Sequence, residues 1–257
     1  MTEGIDGTPE PIAADAPRTP RRRAAGVALA AAAVVFLLAE FVAAAAWTDP
    51  PYSYTYHYIS DLGVHGPLEA LDQYMYSPLA WVMNTGFFLF GIAVFAGVAM
   101  LGGLRGWRRW GVLVMGTLVG AGGVVLAFFP GDGEADRQGT VDYHGLGAMA
   151  AIAGGNALII VLGRMYRRLG VARKPGKAMV ALGTSGLVSM VAFLAVAGSG
   201  ANVLVGLVER CAVYPILAGL ICAGVSIWSR TPLDTPATRS ADPQAPVPRS
   251  TRIARTL

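Results

Sequence analysis

Residues 203–228 read VLVGLVERCAVYPILAGLICAGVSIW. A run of about 20 apolar residues is long enough to cross the hydrocarbon core of a bilayer as a helix. Glu209 and Arg210 nevertheless sit near the start of this one, and an ionised side chain in a membrane is costly unless it is paired or faces a polar cavity. We therefore expect other helices to bring polar groups to this pair.

Five more apolar runs give the rest of the chain the same character. The protein has 257 residues, of which 54% are hydrophobic and only 14% charged, a balance typical of a membrane protein. The predicted fold is all-α and polytopic, with six transmembrane helices within a domain at 24–229. The spans are 24–47, 78–104, 111–129, 143–163, 178–197 and 203–228. The flanking segments 1–23 and 230–257, the second of them basic and Pro-rich, are expected to be disordered tails.

The basic residues indicate how the helices are oriented. Of the 20 Lys and Arg residues, 18 lie in the two tails and in the connections 105–109 and 164–177, which all fall on one side of the predicted bilayer. Cytoplasmic segments carry this excess of positive charge. The sequence thus predicts a multi-pass protein of the cell membrane with both termini cytoplasmic. The same distribution, spread between spans rather than clustered on one face, argues against a nucleic-acid partner.

Polar residues of several spans are predicted to lie at one depth. At 1.5 Å per helical residue, Glu40, Asn84 and Glu209 each fall about 10 Å below the outer ends of their spans, and His144 stands at the outer end of the fourth. We predict an outward-facing polar chamber. The expected contacts are Arg210 with Glu40, and Glu209 with Asn84 or His144.

The long outer loop, 48–77, is expected to cover this chamber. His57 and Asp61 are four residues apart, so one helical turn would place them on the same face. In the alternative, Ser60 and Asp61 cap a helix N-terminus. The second outer loop carries Asp132, Glu134, Asp136 and Asp142. The order of these acids does not match a calcium-binding loop, and a solvated acidic turn is the preferred interpretation.

These residues resemble those of a family of bacterial and archaeal membrane proteins known as domain of unknown function 998. The resemblance covers residues 25–230. It rests on Ile59-Ser60-Asp61-Leu62-Gly63, on Asn84 with Gly91, on Phe129-Pro130 followed by His144-Gly145, and on Gly206 followed by Glu209-Arg210. It implies a six-span fold and no particular activity.

A fainter similarity is to membrane hydrolases such as the alkaline ceramidases, which place Ser, Asp and His residues around zinc. Ser60, Asp61 and His144 match those residue types, and His57, Asp61 and His144 form the one plausible zinc set. The paired histidines of the last helix in that group are absent here, where Glu209 and Arg210 stand instead. The expectation is therefore no cofactor, with zinc as the alternative.

Three functions follow from these patterns. The first is binding of a small or lipid-like ligand, for transport or sensing, in the outer chamber. Its candidate ligand-binding residues are Glu40, His57, Ser60, Asp61, Asn84, His144, Glu209 and Arg210. The second is a membrane hydrolase with Asp61, His144 and Glu209 as catalytic candidates, since acids and imidazoles serve general acid–base chemistry. The third is a structural scaffold whose ion pairs hold the helices together.

Overall fold

Six long helices form the part of the protein that the structure describes. The structure, a computed structural model, describes residues 20–70, 73–200 and 204–229, with Asp136 described in its backbone only. The helices are α1 (Pro20–Ala46), α2 (Ala80–Met100), α3 (Trp107–Phe128), the short α4 (Glu134–Gln138), α5 (Tyr143–Arg164), α6 (Arg173–Gly198) and α7 (Val205–Trp228). All but α4 are long and apolar enough to cross a membrane. The prediction of six transmembrane helices is confirmed.

Helices α1 and α6 begin earlier than the sequence predicted, and both gain basic residues in this way. α1 begins at Pro20 and α6 at Arg173, whereas the sequence predicted starts at 24 and 178. Proline suits a first helical position because the N–H it lacks has no partner there. Arg21 donates to Ala99 O (3.2 Å) in the last turn of α2, and Arg22 donates to Leu169 O in the connection between α5 and α6. The two side chains thus satisfy backbone carbonyl groups of neighbouring segments. Apart from residues 20–23, the two predicted tails lie outside the described residues.

The long helices form a closed ring in the order α1, α2, α3, α5, α6, α7, with α7 packing back on α1 and also touching α5. Glycines allow the helices to approach closely, as in many membrane bundles. A Cβ added at Gly26 of α1 would lie 2.8 Å from Gly224 O of α7, and one at Gly91 of α2 would lie 2.8 Å from Gly120 O of α3.

The connections 47–79, 129–142 and 199–204 share one end of the ring, here called the long-loop end. The 47–79 loop is itself folded. It contains a 3-10 turn at Ser60–Gly63 and an antiparallel hairpin of β1 (Leu68–Ala70) and β2 (Gln73–Met75), a pair of strands that the sequence analysis did not anticipate. Its side chains Ile59, Leu62 and Met75 are buried. The loop therefore packs into the end of the ring instead of lying in solvent.

Candidate functional site

We call Glu40, Asp61, Asn84, Glu209 and Arg210 the polar cluster. Its centre is the ion pair between α7 and α1. Arg210 Nη2 lies 2.9 Å from Glu40 Oε1, and Arg210 Nε donates to the same oxygen at 3.0 Å. The two residues are only 3% and 2% exposed. Tyr214, one turn beyond Arg210, also donates to Glu40 Oε1 at 3.1 Å. The predicted contact between Arg210 and Glu40 is confirmed.

Arg210 also fastens the 47–79 loop to the helices. Its Nη1 donates to Tyr54 O (2.9 Å), His57 O (3.1 Å) and Gly206 O (2.9 Å), and its Nη2 donates to the Tyr52 hydroxyl. The guanidinium carbon also lies 4.8 Å from the centre of the Tyr54 ring. A Cβ at position 206 would come within 2.1 Å of His57 O. Glycine there lets the loop backbone reach the guanidinium.

Glu209 faces a different part of the loop. Its Oε2 accepts a 2.6 Å hydrogen bond from the Ile59 N–H. The predicted contact with Asn84 or His144 is wrong, because the loop enters the bundle and its backbone reaches the carboxylate. Asn84 instead donates from Nδ2 to Gly63 O at 3.0 Å, and so holds the 3-10 turn against α2.

His57 and Asp61 do not act as a pair, contrary to the helical spacing argument. His57 Nδ1 accepts from the Ser53 N–H (2.9 Å), and its ring stacks on Tyr52 at 5.3 Å. Burial lowers the pKa of His57, and the nearby Arg210 charge lowers it further.

Asp61 is 1% exposed, and its Oδ2 accepts from the Tyr58 N–H at 2.8 Å. Burial raises the pKa of Asp61 well above its usual 3.8, and the Glu209 charge adds to the shift. The 3-10 turn has no side-chain cap of the kind that the alternative predicted for Ser60 and Asp61. Asp61 and Glu209 instead accept from consecutive backbone N–H groups just before the turn.

Beside this cluster lies a cavity of about 590 Å³, lined by residues of all six long helices and of the 47–79 loop. The lining residues belong to the half of each helix nearer the long-loop end. Most of the wall is apolar, with aromatic side chains from α1, α2 and α6. These aromatic residues are Phe36, Phe87, Phe90 and Phe193. The polar side chains are those of Glu209, Ser60, Tyr58, His144 and Asp142.

His144 is fixed by a backbone carbonyl. Its Nδ1 lies 2.7 Å from Phe129 O. A carbonyl oxygen can only accept, so Nδ1 carries the proton of this hydrogen bond. In the neutral ring, Nε2 is therefore left with a free lone pair, and the residue lines the cavity.

The cavity wall reaches the outside of the ring between α5 and α6. Leu146 of α5 and Leu194 of α6 line the cavity, yet they are 61% and 46% exposed. Nearer the other end, these helices are in tight contact. A Cβ at Gly183 of α6 would lie 2.6 Å from Asn156 O, and one at Gly163 of α5 would lie 2.6 Å from Gly176 O. The two helices thus pack closely at one end, while apolar cavity residues of both are exposed at the other.

The family assignment follows from the length of the segment that matches a family model. Residues 30–226 fit the family model described as protein of unknown function (DUF998). The chain belongs to the DUF998 family. No curated protein and no solved structure matches it. The DUF998 match includes the 47–79 loop and every residue of the polar cluster, and the fainter likeness to ceramidases receives no support from it.

The zinc alternative named His57, Asp61 and His144 as the ligand set, and it stays a prediction. Within 20–70, 73–200 and 204–229, no three His, Cys, Asp or Glu side chains converge in a way that could hold a metal ion. Two acids of the second loop accept from backbone N–H groups: Asp132 Oδ1 from the Glu134 N–H, and Asp142 Oδ1 from the Gly145 N–H.

Sequence reasoning missed two parts of the DUF998 site. Tyr214 lies four residues after Arg210, so helical spacing could have placed its hydroxyl near Glu40. The apolar cavity had no comparable signal, because Phe36, Phe87 and Phe193 look the same in sequence whether they pack together or line a space.

Proposed function

We propose that this integral membrane protein binds an amphiphilic, lipid-like ligand in the cavity at its long-loop end. The observation that carries the proposal is the cavity itself, about 590 Å³ inside a ring of transmembrane helices. Pockets that hold small molecules usually measure about 300–1,000 Å³ and combine apolar walls with a few placed polar groups.

The apolar part of the cavity wall suits the chain of an amphiphile, and the polar part suits its head group. An acyl or alkyl chain fits against the phenylalanines of α1, α2 and α6, where its burial is favourable. A polar head fits beside Glu209, Ser60 and His144, which supply hydrogen-bonding atoms to the same cavity. The Arg210–Glu40 ion pair supports this arrangement, because Arg210 holds the loop that carries Ser60.

The exposed position of Leu146 and Leu194 supports entry from the bilayer. A ligand with a long apolar chain is concentrated in the membrane, so a side opening between α5 and α6 would admit it without passage through water. Such a site serves either transport or sensing. The scaffold hypothesis accounts for the Arg210–Glu40 pair but gives no role to the cavity.

The charge distribution supports the cell membrane as the location, with both termini in the cytoplasm and the cavity in the outer half. Single cysteines at positions 137 and 108, in a protein with Cys211 and Cys222 replaced by serine, test the orientation. A membrane-impermeant maleimide applied to intact cells should label position 137 and leave position 108 unlabelled. The reverse pattern would invert the orientation.

Binding is tested with radiolabelled 1-dodecanol and purified protein immobilised in a nonionic detergent. Ala148 lines the cavity, so Ala148→Phe should fill part of it and weaken saturable binding at least tenfold. The matched control is Ala195→Phe, an exposed position on α6 outside the cavity lining, which should bind like the wild type. Equal binding by all three proteins, or no saturable binding by any, would refute the proposal.

A further inference from the structure

The buried charges at the site do not balance. Glu40 and Arg210 neutralise each other through their ion pair. Glu209 and Asp61 remain, 7% and 1% exposed, and each accepts one backbone N–H. Burying a carboxylate without a counter-charge costs several kcal/mol, as an order of magnitude. The site therefore favours either a proton or a cationic partner.

Glu209 is the one of these two acids that lines the cavity. Its Oε2 accepts from the Ile59 N–H, and among the described residues no other hydrogen bond to its carboxylate is made. The second carboxylate oxygen of Glu209 is therefore available to a ligand. The hydrogen bond from the loop backbone holds the carboxylate in place.

Three of the other four polar side chains around the cavity can also accept hydrogen bonds from such a partner. The Ser60 hydroxyl and the Asp142 carboxylate can accept hydrogen bonds, as can His144 Nε2. Among the described residues, the cavity lining contains no Lys or Arg, and the guanidinium of Arg210 is occupied by Glu40 and by loop oxygens. An anionic head group would meet two carboxylates and no cation.

We propose that the head group bound in this cavity is a protonated amine, held by the Glu209 carboxylate. The inference rests on the proposed function and names the ligand class: alkyl amines with a long apolar chain. The ammonium supplies the missing positive charge and donates to Glu209. Charge-assisted hydrogen bonds of this kind are about twice as strong as neutral ones.

The experiment compares three amphiphiles of equal chain length, dodecylamine, 1-dodecanol and dodecanoate, as competitors of radiolabelled 1-dodecanol at pH 7. An alkyl amine is charged there, as the lysine side chain is. For the wild type we expect dodecylamine to bind at least tenfold more tightly than 1-dodecanol, and dodecanoate to bind more weakly than either.

Glu209→Gln provides the specific test, because its amide oxygen still accepts from the Ile59 N–H while the charge is gone. The variant should lose the preference for the amine, so that dodecylamine competes no more strongly than 1-dodecanol. Glu69→Gln is the matched control, since it makes the same change at an exposed position outside the cavity lining; it should keep the preference for the amine. Loss of the preference in Glu69→Gln as well, or its retention in Glu209→Gln, would overturn the assignment to Glu209.

The wild-type series decides the matter if Glu209→Gln does not fold. Dodecanoate or 1-dodecanol competing as strongly as dodecylamine would overturn the inference while leaving the cavity as a binding site. The failure of all three to compete, or to bind at all, would instead overturn the proposed function.

Discussion

Replacing Arg210 by methionine should destabilise the protein severely. The change keeps much of the apolar stem but removes the hydrogen bonds to Glu40, to the Tyr52 hydroxyl and to the Tyr54, His57 and Gly206 carbonyls. It also leaves Glu40, 2% exposed, without its counter-charge. Removing one partner of a buried ion pair costs about 3–5 kcal/mol. At about 2–4 °C per kcal/mol, the melting temperature should fall by on the order of 10 °C.

The assay is thermal unfolding in detergent, read as the fraction of protein that remains monodisperse on size-exclusion chromatography after heating. Adding Glu40→Gln to Arg210→Met should recover part of the loss, because the unpaired buried charge is then absent. Arg137→Met is the control: Arg137 is exposed, so the change should alter stability by less than about 0.5 kcal/mol. If Arg210→Met melts like Arg137→Met, or the double variant is no more stable than Arg210→Met, the ion pair does not hold the loop and helices together.

Two further variants test the helix packing and the buried acid. Gly123→Ala would place a Cβ 2.7 Å from Phe87 O and should lower the free energy of unfolding by about 1–3 kcal/mol. Gly111→Ala, whose Cβ would have nothing within 4 Å, should raise it by up to about 1 kcal/mol. Equal melting temperatures for the two variants would contradict the close contact of α2 and α3. The raised pKa of Asp61 means that the folded protein keeps a proton that the unfolded chain releases above pH 3.8. That stabilisation is complete below pH 3.8 and is lost as the pH rises through the folded pKa. Unfolding of Asp61→Asn should therefore depend less on pH above 4, and an unchanged pH dependence would contradict this assignment.

The fold was predictable because lipid restricts what an apolar chain can form. Backbone polar groups in a bilayer must be satisfied within the segment, so an apolar run such as 143–163 has helix as its main option. This reasoning could not predict the structure of the 47–79 loop. The loop was expected only to cover the chamber, but Ile59, Leu62 and Met75 pack into the ring, and the hairpin forms outside the membrane-spanning segments.

The ion pair was predictable for the same energetic reason, since few partners at the depth of Arg210 carry a negative charge. The partner of Glu209 was not, because any backbone N–H can satisfy a carboxylate and the sequence does not say which loop residue enters the bundle. The cavity could not be predicted either, since it depends on the spacing of the helices near the long-loop end. Helix spacing of that kind is set by packing and not by composition.

Photolabelling with a dodecylamine that carries a diazirine on its chain shows where an amphiphile lies in this protein. We expect labels on cavity residues of different helices, such as Met149, Phe193 and Ile216, and their loss when unlabelled dodecylamine is in excess. Labels confined to exposed positions outside the cavity, such as Leu38 and Val188, and unaffected by the competitor, would contradict binding in the cavity.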